Sequence, residues 1–304
     1  MTKLSDLYVK LDDNNRARAY RKAAFNIREH PTEITSGIEA KNINGVGKNI
    51  ANKIDEFIKT GTIYKIAILE KELHEFKESL TGEQIKEKQE KEKKQEILEI
   101  FMKIHGVGKV TANKWYEMGY RKIQDLNDVK MNKSQKIGYK YYEEFQERIP
   151  RKEIDKFQQI LEKKLEHDFM ICGSYRRGCD DSGDIDCLLK NRNLKDAVKI
   201  LKDYLIADLS CGTTKYMGVV KIDTVPRRID IMVIDDKSWP YSTLYFTGSQ
   251  QLNVNMRSKA IELNMTLNEY GLHDKNGDYY NVESEKEIFE ILKIKYLEPC
   301  ERNI

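Results

Sequence analysis

The sequence predicts an α+β protein of more than one domain, and three observations carry that prediction. The chain has 304 residues, enough to bury a sizeable core and more than one compact unit. Its first part spaces apolar residues for helices: Tyr20, Ala23, Ala24 and Ile27 fall on one face of the segment from Ala17 to Ile27. From Arg151 onward the character changes, and short strand-like runs alternate with helical ones.

Taken in order, His30-Pro31 ends the first helical segment. A second helix starts near Lys48, carries Ile50, Ile54 and Phe57, and stops near Gly61. The stretch from Thr81 to Gln95 is rich in Glu, Lys and Gln with almost no apolar face. It reads as a linker or a solvated helix start, and a domain boundary is expected there. Beyond Arg151, Phe169 to Cys172 reads as a strand leading into a glycine turn, and Ile185 to Leu189 as another strand. Leu194 to Tyr204 reads as a helix, with further strands at Met217 to Ile222 and Ile229 to Ile234. After Trp239 a smaller α+β segment is expected: a helix from Asn253 to Leu263, a strand near Met265 to Tyr270, and a closing helix from Glu285 to Tyr296.

Composition narrows the function classes. Charged residues make up 34% of the chain, yet the net charge is only +3. A global positive field is therefore no argument for a nucleic-acid partner, and local placement of charge must carry that case. The five cysteines, Cys172, Cys179, Cys187, Cys211 and Cys300, show no Cys-x-x-Cys spacing and read as reduced thiols of an intracellular protein, nuclear or cytoplasmic. The five histidines lack metal-ligand spacing. No apolar signal core opens the chain, and no run approaches membrane-spanning length.

The strongest chemical signal is a split carboxylate cluster. Gly173-Ser174-Tyr175-Arg176-Arg177-Gly178 is followed by Ser182-Gly183-Asp184-Ile185-Asp186, and later by Arg227-Arg228-Ile229-Asp230. Residues two apart on a strand point the same way, so Asp184 and Asp186 share a face. If the strand from Arg228 to Ile234 pairs beside them, three carboxylates converge. Such crowding is costly unless cations neutralise it, and hard divalent cations prefer these oxygens. Two such ions suit phosphoryl transfer. Gly173, Gly178 and Gly183 allow close backbone approach, and Arg176 and Arg177 bring positive charge beside the carboxylates. An Asp-x-Asp turn alone is weak; in this combination a solvated acidic turn is the lesser reading.

An internal repeat adds a second signal. Asn44-Gly45-Val46-Gly47-Lys48 leads into Ala51-Asn52-Lys53, and His105-Gly106-Val107-Gly108-Lys109 leads into Ala112-Asn113-Lys114 at identical spacing. Each is a glycine turn feeding a helix N-terminus, where free N–H groups and the helix dipole attract phosphate. One copy could merely cap a helix; two at matched spacing favour binding of a nucleic-acid backbone.

Gly-Ser-Tyr-Arg-Arg-Gly, Ser-Gly-Asp-Ile-Asp, Arg-Arg-Ile-Asp and Tyr245-Phe246-Thr247-Gly248-Ser249 together resemble the motifs of the family X DNA polymerases, from about Asn14 to the C-terminus. The resemblance implies a helix-hairpin-helix lyase domain over 1–80 and a helical, thumb-like DNA-binding subdomain over 81–150. A mixed α/β nucleotidyltransferase palm would follow over 151–236, and a small α+β nucleotide-selection subdomain over 237–304. It implies that Asp184 and Asp186 bridge two Mg²⁺ ions, with Mn²⁺ as the alternative, and that Asp230 holds the catalytic one. Ser174, Arg177, Arg148 and the N–H of Gly183 match phosphate contacts, a task that suits the planar fork of arginine. Tyr245, Phe246 and Gly248 match the segment against the sugar of the incoming nucleotide, although standing alone they would read as a buried aromatic pair beside a turn. Asn253 matches a contact to the incoming base and Arg257 one to the template.

DNA contacts are implied for Gly45, Gly47 and Lys48, for Gly106, Gly108 and Lys109, and for Tyr20, Lys65, Lys215, Arg228 and Tyr270. The carbonyls of Lys41, Ile43 and Val46, and of Met102, Ile104 and Val107, match positions that hold Na⁺ or K⁺ in the hairpins.

The same resemblance implies a second activity. Lys53 matches the lysine that forms a Schiff base with 5′-deoxyribose phosphate, with Lys48, Lys65, Arg16 and Tyr20 around it; the plainer alternative is a surface lysine. Three residues depart from the pattern: Asn49 replaces a phosphate-binding lysine, Asn52 a glutamate and Asn15 a histidine. Met232 replaces an arginine that pairs with the second aspartate, so the closing step and fidelity are expected to differ. The expected function is gap-filling, template-directed synthesis from dNTPs on gapped or nicked duplex DNA by a monomer, without a proofreading exonuclease or a further interaction domain. The rivals are a template-independent terminal transferase, an RNA-tailing enzyme and a catalytically dead DNA-binding scaffold. The short Val220–Pro226 loop argues against the first, the doubled hairpin against the second, and the intact aspartate set against the third.

Overall fold

The computed structural model describes residues 1–303 except 29, 31, 80, 81 and 167. Pro31, the expected helix stop, and Thr81, the expected start of the boundary region, lie outside the described residues. Two compact units form, Met1–Lys93 and Lys94–Ile304.

The first unit is helical: α1 (Thr2–Lys10), α2 (Asn14–Arg28), α3 (Gly37–Ala40), α4 (Lys48–Thr60) and α5 (Tyr64–Ser79), with α6 (Gly82–Met102) starting in it. Helix α2 begins three residues before the expected Ala17. Asp13 accepts the Arg16 N–H at 3.0 Å, a capping bond that the apolar spacing does not signal. Helix α1 was not legible in the periodicity, yet it buries Leu4, Leu7 and Tyr8 and stacks Tyr8 on Tyr20 at 5.4 Å. Helix α4 opens at Gly47 and ends at Gly61 in the left-handed conformation that a C-terminal glycine adopts without a Cβ penalty. Its Ile50, Ala51 and Ile54 face the core with Ala17, Ala23, Ile43 and Val46. The charged stretch after Gly82 is one helix, α6, exposed over 86–93, with Leu98 and Phe101 in the second unit's core.

In the second unit, α7 (Lys109–Glu117) and α8 (Lys133–Lys140) pack around Phe101, Ile104, Trp115 and Leu126. Strand β1 (Ile149–Pro150) pairs with β3 (Asp181–Ser182). Between them lie α9 (Arg151–Leu165), β2 (Phe169–Ile171) and the short α10 (Gly173–Arg176). The main sheet adds β4 (Ile185–Lys190), β5 (Leu205–Cys211), β6 (Lys215–Lys221) and β7 (Pro226–Ile234), in the order β2-β4-β7-β6-β5. β4 and β7 run parallel and the other neighbours antiparallel.

Period-two alternation splits this sheet. Ile185, Cys187, Leu189, Ile229 and Ile231 join Ile154, Phe157, Leu161 and Leu165 of α9 in one core. With those side chains in the core, Asp186, Leu188, Asp230 and Met232 fall on the other face, and Asp186 stands opposite Asp230 in the register. Two elements differ from expectation. Helix α11 (Leu194–Ile200) stops before Tyr204, and β5 follows as a partly exposed edge strand whose pattern gave no strand signal. The loop between β6 and β7 is short, Ile222 to Val225.

The carboxy-terminal part holds α12 (Trp239–Thr247), α13 (Gln250–Glu262), the hairpin β8 (Thr266–Asn268) and β9 (Gly271–His273), and α14 (Glu285–Ile291). Ser249 accepts the Leu252 N–H and starts α13 earlier than Asn253. Helix α14 ends at Ile291, where Lys293 takes positive φ, and not at Tyr296. Its core is Tyr241, Leu244, Leu252, Met256, Leu272, Ile288 and Phe289. No helix among the described residues is long and apolar enough to cross a membrane.

Candidate active site and nucleic-acid interface

Asp184 and Asp186 line a cleft of about 590 Å³, and Asp230 is not among its lining residues. Asp184 sits in the bend just before β4, and Asp186 in β4 beside Asp230 of β7. Gly173 explains the glycine turn physically. Its φ is +57°, and a Cβ there would stand 2.4 Å from an Asp186 carboxylate oxygen. Only a residue without a side chain lets α10 approach so closely.

Charge in this cluster is balanced unevenly. Arg228 donates to Asp184, and Lys215 pairs with Asp230 at 3.2 Å. Among the described residues no cation pairs with Asp186 in this way. Burial, then Asp184 and Asp230, push its carboxyl up to about 7. The Oδ1 of Asp230 and the Nε of Arg228 are buried without a hydrogen-bond partner. Among the described residues no three carboxylate, histidine or cysteine side chains are arranged to hold one ion. The residues nonetheless fit hard divalent cations: the donors are carboxylates, one desolvated and one with an unsatisfied oxygen, and both are conditions that a cation relieves.

The cleft walls gather the residues expected to bind nucleotide: Arg148, Ser174, Arg177, Gly183, Tyr245, Phe246, Gly248 and Asn253 all line it, with Asp184, Asp186 and Arg257. Ser174 donates to Ser182 at 2.8 Å. Arg177 donates to the Thr247 carbonyl and to Asn303 Oδ1, each at 2.7 Å. Arg148 holds the Asp181 carboxylate through Nε and Nη2 at 2.9 and 2.7 Å. Asn253 donates to the Tyr245 carbonyl at 2.8 Å. The Arg257 guanidinium lies 5.0 Å from the Tyr245 ring centroid. Gly173 and Thr247, from two of the quoted motifs, also line the cleft, as do Gln250 and Val254, which had not been marked because their types carry no chemical signal of their own.

Other expected positions lie elsewhere. Arg176, read as positive charge beside the carboxylates, turns away from them. It donates to Thr247 Oγ1 at 2.6 Å and pairs with the buried Glu285 at 2.7 Å, which Arg302 also holds. Tyr270 lines a different hollow with Asn191 and Thr214. Lys215 and Arg228, expected on DNA, engage the aspartates. Met232 is buried among Cys172, Leu188 and Ile234. His105, unmarked beyond its place in the second hairpin, stands in the field of Arg228 and Asp230; burial first, then Arg228, lowers its pKa.

The two hairpins share their geometry. Gly45 and Gly106 have φ of +85° and +83°, the region that needs glycine. Gly47 and Gly108 cap α4 and α7, and neither has a neighbour where a side chain would be, so their backbone lies open. Lys48 and Lys109 follow, exposed. The candidate cation carbonyls behave alike: Ile43 accepts from Val46 at 2.9 Å, and Ile104 from Val107 at 3.0 Å. Lys41 and Met102 hold the equivalent third position in each.

A second hollow, of about 900 Å³, lies in the first unit, lined by Arg16, Tyr20, Gly45, Gly47, Lys48, Asn49, Lys53, Glu56 and Lys65 among others. Lys53 Nζ donates to the Asn49 carbonyl at 3.3 Å. Lys65 pairs with Glu72 at 3.3 Å. Asn15 and Asn52 are not among its lining residues.

Comparison with known proteins gives four family models in chain order. A helix-hairpin-helix domain matches residues 1–63, the fingers domain of DNA polymerase lambda 99–146, the DNA polymerase beta palm 148–236, and the DNA polymerase beta thumb 242–303. The helical segment expected as thumb-like thus carries the match described as fingers, and the carboxy-terminal segment the one described as thumb. The chain is 29% identical to DNA polymerase lambda of Arabidopsis thaliana over 340 aligned positions, covering 99% of this chain and 60% of that protein. It is 28% identical to DNA polymerase lambda of Rattus norvegicus, with 99% and 54% covered. It is 25% identical to the DNA nucleotidylexotransferase of Xenopus laevis, with 99% and 66% covered. The chain therefore spans less than two thirds of the length of either polymerase.

Proposed function

We propose, for a chain that belongs to family X of the DNA polymerases, that it fills short gaps in duplex DNA by template-directed nucleotidyl transfer from dNTPs to a primer 3′-hydroxyl. The observation that carries this reading is Asp186, opposite Asp230 in the strand register, lining with Asp184 a cleft that also holds Arg148, Ser174 and Arg177. In the transfer the primer oxygen bonds to the α-phosphorus and pyrophosphate leaves. Asp184 and Asp186 would hold two divalent cations of the magnesium type, with Asp230 on one of them. When bound, such ions lower the pKa of the primer hydroxyl and neutralise the leaving group.

The chain's own residues orient the substrate. Arg177 and Arg148 take phosphate oxygens, and the Gly183 N–H adds a donor beside them. Tyr245 to Gly248 form the wall against the sugar, where a carbonyl disfavours a ribose. Asn253 and Arg257 lie one helical turn apart and face the nascent pair. The two hairpins hold the DNA backbone through open amides, each with a monovalent cation on its carbonyls. The amino-terminal hollow takes the 5′ side of the gap, where Lys53 forms a Schiff base with 5′-deoxyribose phosphate. Proposed boundaries are 1–80, 81–150, 151–236 and 237–304.

Primer extension on matched gapped and ungapped duplexes, with and without a 5′-phosphate, tests this reading. Fastest template-directed incorporation on the phosphorylated gap is expected. Equal extension of a single-stranded primer without template would overturn it in favour of terminal transfer. The short loop from Ile222 to Val225 leaves little material to stand in for a template strand.

A further inference from the structure

Elimination from a sugar imine needs two groups set close together. An amine holds C1′ as an iminium, and a base removes a proton from C2′. Because adjacent carbons are only about 1.5 Å apart, the base must lie within roughly one helical turn, about 5.4 Å, of the amine. Lys53 and Glu56 are three residues apart on α4, hence on one face, and both line the amino-terminal hollow. Among the described lining residues Glu56 is the one carboxylate, against Arg16, Lys48, Lys53 and Lys65. Its Oε1 accepts the Tyr64 N–H at 2.6 Å, at the first residue of α5. That bond fixes the side chain and leaves Oε2 to act. The neighbouring amides do not compete: Asn52 is exposed and outside the hollow, and neither Asn49 nor Asn52 can take a proton at neutral pH.

We infer that Glu56 is the general base of the elimination that follows Schiff-base formation at Lys53; this rests on the lyase reading of the same hollow. Lys53 Nζ adds to the C1′ aldehyde carbon and water leaves, giving the iminium. The Glu56 carboxylate takes the C2′ proton, and the C–H electron pair forms an enamine. The nitrogen lone pair then re-forms the iminium as the C3′–O bond breaks, and the DNA departs with its 5′-phosphate. Water hydrolyses the remaining iminium and frees Lys53, while Glu56 returns its proton to solvent.

Glu56 could instead serve only to cap α5, and the test separates the two roles. Glutamine keeps an oxygen for the Tyr64 N–H but takes no proton. A duplex carrying 5′-deoxyribose phosphate is mixed with excess full-length chain in a single turnover. Borohydride-trapped adduct and released 5′-phosphorylated strand are followed separately. Glu56→Gln is expected to trap adduct like wild type while releasing strand roughly 100-fold more slowly, the scale of a lost general base. Glu56→Asp should recover part of the rate. Wild-type release by a trapping-competent Glu56→Gln would overturn the assignment and leave the lyase reading standing. Loss of both adduct and release in Glu56→Gln, with none regained in Glu56→Asp, would make the residue structural and also overturn it. Absence of any adduct with the wild-type chain would remove the lyase reading itself.

Discussion

The two hollows that gather chemistry in this chain handle charge differently. The amino-terminal one is lined by four cations and one carboxylate, and its lysines stand at or near the surface, Lys48 exposed and Lys53 half-buried. The cleft of the second unit is lined by Asp184, Asp186 and three arginines, with Asp230 opposite Asp186 in the register; Asp186 is half-buried, and burial and its acidic neighbours push its carboxyl up to about 7. In the first, solvent reaches the charges and balances much of them. In the second, the protein must meet the charge itself, through Arg228 and Lys215. A nucleophilic amine has to be reached by a sugar aldehyde, so an open site suits it. A carboxylate cluster that binds divalent cations gains from desolvation, because crowded charge then favours the cation.

Four substitutions break or sharpen this contrast, the first three by large effects and the last by a small one. Lys53→Ala removes the proposed nucleophile of the cationic hollow and should cut the borohydride-trapped adduct by at least about 100-fold; an undiminished adduct would move the nucleophile elsewhere. Arg177→Ala takes one charge-assisted donor from the second unit's cleft, worth about 2 kcal/mol. It should raise the KM for dNTP roughly 30-fold in steady-state gap filling.

Glu285→Gln tests a third way of handling charge, a largely desolvated carboxylate held between two arginines, Arg176 and Arg302. Burial pushes Glu285 up, but the hydrogen bonds from Arg176 and Arg302 outweigh it and its pKa is lowered overall. A group depressed on folding contributes stability above its unfolded pKa, about 4.3, and loses it as pH falls through the folded value. The variant should be destabilised by about 3 kcal/mol at pH 7. Its denaturation midpoint should also fall less steeply than wild type as pH drops below about 4; parallel pH profiles would contradict that. Asn49→Lys, the smallest change, adds a cation to the hollow that already has four. Binding of a 5′-phosphorylated gap should tighten about fivefold and its salt slope steepen by about one, measured by fluorescence anisotropy.

Much of this was legible in the sequence because it rests on local spacing. Period two puts Ile185 and Ile229 in the core and leaves Asp186 and Asp230 on the opposite face, and β4 and β7 pair in that register. The matched Gly-Val-Gly turns gave two matched hairpins. What was not legible depends on partners far along the chain. Arg176 binds Glu285, 109 residues away, so its neighbours in sequence misplaced its charge. Arg228 reaches Asp184 across 44 residues, and no spacing rule distinguishes a carboxylate partner from a DNA phosphate. Strand β5 was missed because a partly exposed edge strand does not alternate cleanly. The stop of α14 comes with the positive φ of Lys293, which apolar period does not signal.

The central claim is that Asp184, Asp186 and Asp230 act together on a nucleoside triphosphate. Single-turnover incorporation of one dNMP into a phosphorylated one-nucleotide gap, with Mg²⁺ present, tests it most directly in Asp186→Asn. A loss of at least about 1,000-fold in rate, with unchanged DNA binding and thermal stability, is expected. Incorporation at the wild-type rate would contradict the account.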